Sequence, residues 1–100
     1  MRIYISLPIS GRDEGEAREE AARMEAAINC IGCEAVNPFK IYAGGNPTYA
    51  DYISADIRAL MDCEAVYFAP GWRESKGCKL EHSAAVIFGK GVVYQMPEEE

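Results

Sequence analysis

Short runs of β-branched and aromatic residues alternate with longer helical segments along this 100-residue chain. The predicted strands are residues 2–7, 34–36, 65–69 and 91–94, and the predicted helices between them are residues 12–31, 49–62 and 77–88. Consecutive strands are thus joined by a helix, which is the usual connection between parallel strands. The alternation therefore predicts a parallel sheet covered by helices.

The apolar residues of the first two predicted helices recur at helical spacing. In the first helix they are Ala17, Ala21, Met24, Ile28 and Ile31. In the second, for which Thr48 is the predicted N-cap, they are Tyr52, Ile53, Ile57, Leu60 and Met61. Residues 65–69 form an almost continuous apolar run, which is typical of a strand buried on both faces. We predict an α/β fold: a three-layer, Rossmann-like or flavodoxin-like sandwich with a four-stranded parallel sheet in the order 2-1-3-4.

Length and charge limit the classes of partner. A chain of this length has enough residues for one domain, which we assign to residues 1–96, followed by an acidic tail at residues 97–100. The net charge of −6 disfavours nucleic acid polymers. No apolar run reaches the ~20 residues of a membrane helix, and the chain has no signal-peptide pattern. We therefore expect a cytoplasmic protein with no membrane partner.

The four cysteines include a Cys-x-x-Cys pair at Cys30 and Cys33. Zinc would need two further ligands at suitable spacing, and the remaining cysteines and His82 provide no second pair. A redox pair opens a helix, whereas this one lies at a predicted helix end, with Gly32 as the terminator. The thiols are interpreted as reduced structural residues, and neither a metal nor a cofactor is expected.

In an open parallel sheet, ligands bind at the carboxyl ends of the strands, where the strand order reverses. For the order 2-1-3-4 this reversal falls between strands 1 and 3. We therefore expect the loops at residues 7–13 and 70–76 to form the two walls of one site.

Two acidic residues are candidates for chemistry at this site. Glu81 lies near the start of the third helix, where the helix dipole favours an ionised carboxylate, and such a group can act as a nucleophile. The alternative is a surface glutamate at a helix start. Asp56 borders the apolar face of the second helix, so its pKa can be raised as in a general acid. The alternative is an exposed, ion-paired aspartate.

Two loops that enter helices are candidate anion sites. They are Ser10-Gly11-Arg12 and Ser75-Lys76-Gly77, whose amides and hydroxyls suit phosphate, although serine and glycine also simply cap helices. Tyr4 either reaches the site or belongs to the core. Trp72 is a candidate for stacking on a base, for a subunit contact or for anchoring its loop.

These motifs resemble those of the nucleoside 2-deoxyribosyltransferase-like superfamily, and especially its small DUF4406-type members from bacteria and phages. The matching motifs are Tyr4-Ile5-Ser6, Asn37-Pro38-Phe39, Asp56, and Ala65-Val66-Tyr67-Phe68-Ala69-Pro70-Gly71-Trp72 followed by Ser75-x-Gly77-x-x-x-Glu81. The resemblance spans nearly the whole chain. It implies chemistry at an N-glycosidic bond and assembly into a homodimer or larger homo-oligomer.

The resemblance also implies roles for individual residues. Glu81 would attack C1′ of the sugar, Tyr4 would orient its carboxylate, and Asp56 would assist departure of the base, as in retaining glycoside hydrolysis. Ser75, six residues before the glutamate, implies a nucleoside 5′-monophosphate and favours hydrolysis over transfer. Asn37 joins Trp72 as a candidate base or interface contact.

Three hypotheses follow from the sequence. The first is an N-glycosidase or deoxyribosyltransferase acting on a nucleoside or nucleotide. The second is a nucleotide-binding or sensor module of the same fold without turnover. The third, a redox or metal protein built on the Cys-x-x-Cys pair, is the least favoured.

Overall fold

The computed structural model describes residues 1–96, so the predicted acidic tail at residues 97–100 lies outside the described residues. The strands are β1 (Arg2–Ser6), β2 (Glu34–Val36), β3 (Ala65–Phe68) and β4 (Gly91–Tyr94). The helices are α1 (Glu14–Cys30), α2 (Tyr49–Met61) and α3 (Lys76–Ile87). Two short 3₁₀ turns, Pro38–Lys40 and Trp72–Glu74, lie in segments that were predicted as loop. All seven predicted elements are present, and their ends differ from the predicted ones by at most two residues.

The four strands form one parallel sheet in the order β2-β1-β3-β4, which confirms the predicted topology. Ile3 of β1 pairs with Ala35 of β2 on one side and with Ala65 of β3 on the other. Ala65 in turn pairs with Gly91 of β4. The strand order therefore reverses between β1 and β3, and the loops after these two strands diverge to opposite faces of the sheet.

The two faces of the sheet bury separate cores because side chains alternate along β1. Ile3, Ile5 and Leu7 pack against the buried stripe of α1, in which Met24 and Ile28 are the largest residues. Tyr4 points to the other face and belongs to the core that α2 and α3 cover. Ser6, two residues further along, shares that face of β1 with Tyr4.

Capping interactions fix where the helices begin and end. The Thr48 side chain accepts a hydrogen bond from the Asp51 amide and the Asp51 carboxylate accepts one from the Thr48 amide, so the predicted N-cap of α2 is part of a capping box. The Ser75 hydroxyl caps α3 by accepting a hydrogen bond from the Cys78 amide. Gly32 follows α1 with a φ of +83°, which favours glycine and agrees with its predicted role as terminator.

Within the described part of the chain, none of the helices combines the length and the apolar character that crossing a bilayer demands.

Candidate active site

A cavity of about 540 Å³ opens at the carboxyl end of the sheet, lined by residues of β1, all three α-helices and the loops between them. Its volume lies within the range of small-molecule sites in proteins. Three of the predicted site residues, Glu81, Asp56 and Tyr4, line it together, although they lie on three different elements. The cavity therefore brings together the side chains to which the sequence analysis assigned chemistry.

Glu81 lies in the second turn of α3, and only 6 % of its surface is exposed. The Tyr4 hydroxyl donates a hydrogen bond to Glu81 Oε2 at 2.6 Å, and the Ser6 hydroxyl donates one to Glu81 Oε1 at 2.7 Å. Both donors come from β1, where a spacing of two residues directs both side chains toward α3. Each oxygen of the carboxylate is thus held by one fixed donor. The alternative of a surface glutamate does not hold.

Burial dominates the electrostatics of this carboxyl. It raises the pKa of Glu81 to about 7, against the lowering effect of the hydrogen bonds from Tyr4 and Ser6, while the charge of Asp56 raises the pKa further. The expectation that the helix start keeps Glu81 ionised at neutral pH was therefore wrong: burial removes water from the carboxylate, and Glu81 lies in the second turn, where the dipole is weaker. Near neutral pH both protonation states of Glu81 are populated.

Asp56 lies on α2 and is partly buried at the wall of the same cavity. Burial raises its pKa to about 6. The charge of Asp56 also raises the pKa of Glu81 and of Tyr4, so the three groups interact electrostatically. Two carboxyl groups that titrate near neutrality in one cavity can share a proton, with one acting as an acid and the other as a base or nucleophile.

Tyr4 is 1 % exposed, and burial raises its pKa well above the usual value, with the charge of Glu81 as the next cause. The hydroxyl therefore keeps its proton over the physiological range and remains a donor to Glu81. The two alternatives for Tyr4, core residue or site residue, are both correct: the ring packs in the core and the hydroxyl reaches the cavity.

The start of α3 forms a second polar part of the cavity wall. Ser75 and Gly77 line the cavity, and so does Ser10 from the loop after β1. Helix starts of this kind present amide groups that suit an anion. Among the described residues that line the cavity, Arg18 is the basic one; its guanidinium lies 4.6 Å from the centre of the Phe39 ring and pairs with Glu14.

Two of the predicted phosphate-binding residues do not line the cavity. Arg12 donates hydrogen bonds through Nη1 to Glu20 Oε1 at 2.7 Å and to the Pro8 carbonyl at 3.2 Å. Gly11 adopts a φ of +79° and forms a turn. The loop after β1 is thus braced by its own cation, and Pro8 has no amide proton to offer a phosphate.

The predicted second wall also differs from the structure. Only the end of the segment at residues 70–76, at Ser75, reaches the cavity, and the opposite wall is formed by residues 38–47 together with α2. Trp72 does not line the cavity. Its ring stacks on His82 at 4.3 Å between centroids and packs on Phe68 and Tyr94, so it anchors its loop.

Asn37 likewise has a structural role in the described chain. Its side chain is buried, accepts a hydrogen bond from the Phe39 amide and donates one to Glu25, and it does not line the cavity. A turn that begins with Asn-Pro uses the asparagine side chain in this way.

No role in the site was predicted for Ser6, or for three of the four tyrosines that line the cavity: Tyr42, Tyr49 and Tyr52. The signal for Ser6 was its spacing of two residues from Tyr4 on a strand. Tyr52 was predicted in the apolar stripe of α2, yet it is 51 % exposed and lines the cavity. Helical periodicity does not distinguish a core from a cavity wall, since both are apolar.

All four cysteines are free thiols, and Cys30 and Cys33 lie at the end of α1. No group of three or more potential metal ligands occurs among residues 1–96. Cys78 is buried in the cavity wall, and burial raises its pKa.

The sheet order and the helix arrangement define the structural class: the chain has the fold of the nucleoside 2-deoxyribosyltransferase-like α/β proteins, as its motifs indicated. The same fold occurs in the solved structure of the CMP N-glycosidase BcmB from Clostridium botulinum, with a TM-score of 0.67. The similarity covers 100 % of this chain and 72 % of that one, at 19 % sequence identity, which establishes the fold.

The family model described as Domain of unknown function (DUF4406) matches residues 1–94. The chain belongs to this family, which confirms the subfamily that its motifs indicated. A comparison with curated protein sequences finds no match.

Proposed function

We propose that this protein cleaves the N-glycosidic bond of a nucleoside 5′-monophosphate by hydrolysis. The observation that carries the proposal is the pair of carboxyl groups in one cavity, Glu81 and Asp56, both with pKa values raised toward neutrality. Glycoside-cleaving enzymes use two such groups, one to attack or stabilise the sugar and one to move a proton. The fold shared with an N-glycosidase whose substrate is CMP supports the same class of chemistry.

In the first step, one Glu81 oxygen attacks C1′ and forms a sugar ester. The bond from C1′ to the base nitrogen breaks, its electron pair stays with the base, and the carboxylic acid of Asp56 supplies a proton to the base. A nucleophile with a pKa of about 7 is partly ionised at neutral pH, and an acid with a pKa of about 6 is partly protonated there. Because the pKa of Glu81 is the higher of the two, the reactive form with Glu81 ionised and Asp56 protonated is the smaller share of the singly protonated pair, and it is most populated between pH 6 and pH 7.

In the second step, water attacks C1′ and gives a proton to the Asp56 carboxylate, and Glu81 leaves as a carboxylate. The products are the free base and the sugar phosphate. If a second base takes the place of water, the same ester gives transfer. Serine at position 75 is the feature that favours a phosphorylated substrate and hydrolysis, because a carboxylate there would repel a phosphate.

The hydrogen bonds from Tyr4 and Ser6 to Glu81 support the nucleophilic role. They stabilise the ionised form and restrict the rotation of the carboxylate, so that it is oriented before the substrate binds. Preorganisation of this kind lowers the barrier without cost at the moment of reaction.

The test is to incubate the protein with ribo- and deoxyribonucleoside 5′-monophosphates and to measure the free base by chromatography. We expect release of the base by the wild-type protein and by Cys30→Ser, and a loss of at least about 1,000-fold in Glu81→Gln, since the nucleophile is removed. Cys30 is an exposed thiol at the far end of α1, so its variant controls for handling and for thiol chemistry.

The binding-module hypothesis is separated by the same samples. Thermal stabilisation by nucleotides without any free base would show ligand binding without turnover and would reject the proposed reaction. Equal activity in Glu81→Gln and in wild type would reject the assignment of the nucleophile.

A further inference from the structure

Both polar and aromatic side chains line the cavity. Glu81, Asp56 and Ser75 are among the polar residues, and the aromatic residues include Tyr49 and Tyr52 of α2 and Tyr42 of the segment before it. These tyrosines are 62 %, 51 % and 83 % exposed, respectively, and no hydrogen bond to any of their hydroxyls occurs within the described residues. Exposed aromatic rings at the wall of a cavity are surface for a flat apolar ligand.

The arrangement along α2 connects this aromatic surface to the acid. Tyr49, Tyr52, Ile53 and Asp56 recur at the spacing of one helix face, and all four line the cavity. Tyr52 therefore lies about one helical turn, or about 6 Å along the axis, from Asp56, and Tyr49 lies about one turn further. The acid and the rings form one continuous stripe.

We propose that Tyr52 and Tyr49 form the platform on which the nucleobase of the substrate stacks. This inference rests on the proposed function, in which Asp56 gives its proton to the departing base. The base must then contact Asp56, while the sugar lies between Asp56 and Glu81. A flat ring that extends from Asp56 toward the N-terminal end of α2 passes over Tyr52 and then Tyr49.

Stacking on an aromatic side chain contributes about 1–3 kcal/mol per base, which corresponds to roughly 5- to 150-fold in affinity. Because every base has a π-face, such a platform accepts both purines and pyrimidines. We therefore expect the protein to require a base for tight binding and to discriminate only weakly among bases through these two residues.

The experiment measures binding without turnover. The full-length Glu81→Gln protein is titrated by calorimetry with cytidine 5′-monophosphate and with ribose 5-phosphate, which has the sugar and phosphate but no base. We expect the nucleotide to bind at least about fivefold more tightly. Tyr52→Ala should remove most of this difference and Tyr49→Ala part of it, while the affinity for ribose 5-phosphate stays unchanged. Tyr52→Phe, which keeps the ring, should bind like the parent.

Phe88→Ala is the matched control, because Phe88 is an exposed aromatic residue of similar exposure, 59 %, that does not line the cavity. Equal affinities for the two ligands, or equal losses for both ligands in Tyr52→Ala, would overturn the stacking platform. The reaction itself is judged separately by release of base from the wild-type protein. Nucleotide binding that depends on Tyr52, without turnover, would retain the platform and reject the reaction, and absence of nucleotide binding would reject both.

Discussion

Replacing Glu81 with glutamine should stabilise this protein at alkaline pH, because the fold holds a carboxyl group that resists ionisation. In the unfolded chain the glutamate ionises near its usual pKa of 4.5, whereas burial raises the pKa in the folded protein to about 7. Between these values the folded state keeps a proton that the unfolded state has released. A raised pKa favours folding below pH 4.5, and this contribution is lost as the pH rises to 7 and above.

The magnitude follows from the two pKa values. At about 1.4 kcal/mol per pH unit, the interval from 4.5 to about 7 corresponds to about 3 kcal/mol of unfolding free energy lost above pH 7. Glutamine has nearly the same shape and cannot ionise, and like a protonated carboxyl it presents one acceptor and one donating group to Tyr4 and Ser6. The variant should therefore match the wild type near pH 5 and exceed it by about 2–3 kcal/mol at pH 8.5.

The assay is urea denaturation at pH 5 and at pH 8.5, followed by the fluorescence of Trp72, the one tryptophan of the chain. Glu16→Gln, at an exposed position on α1, is the control and should show no gain that depends on pH. The reasoning is refuted if Glu81→Gln is less stable than wild type at pH 8.5, or if its advantage is the same at both pH values. A confirmed gain would mean that the candidate nucleophile is retained at a cost in stability, as functional groups often are.

Two further predictions concern activity. The productive state of the carboxyl pair holds one proton, so kcat/KM for base release should follow a bell-shaped curve between the pKa values of about 6 and about 7, with its maximum near pH 6.5. Asp56→Asn should remove the alkaline limb of this curve. A wild-type rate that rises steadily to pH 9 would contradict the prediction. Ser6→Ala removes one of the two donors that lower the pKa of Glu81, each worth about 1.5–3 kcal/mol to a charged group, so kcat at pH 6 should fall roughly 10- to 100-fold. The alkaline limb, which follows the pKa of Glu81 of about 7, should move upward by about one pH unit. Cys63→Ala is the control: it removes a buried thiol that donates a hydrogen bond to the Ala59 carbonyl away from the cavity, and it should leave the pH profile of activity unchanged. An unchanged profile in Ser6→Ala would reject the positioning role of Ser6.

Several side-chain contacts in the site could not be predicted from sequence patterns. The hydrogen bonds from Tyr4 and Ser6 to Glu81 join residues 77 and 75 positions apart, and they depend on how α3 packs over β1. Arg12 was expected at the phosphate, but its pairing with Glu20 depends on the path of the loop, which no local pattern specifies. Likewise, Trp72 turned toward His82 and Tyr94 instead of the cavity because those rings surround it at the end of β3 and β4.

By itself, the sequence determined the order of the elements, the parallel sheet and the point where its strand order reverses. It did so because hydrophobic periodicity and capping residues act locally, and because the crossover between parallel strands has one favoured hand. Tertiary structure alone decided which side chains meet in the cavity and how their protons are held. Burial sets the pKa of Glu81, and burial is a property of all the elements packed around a residue, which no single segment of the chain contains.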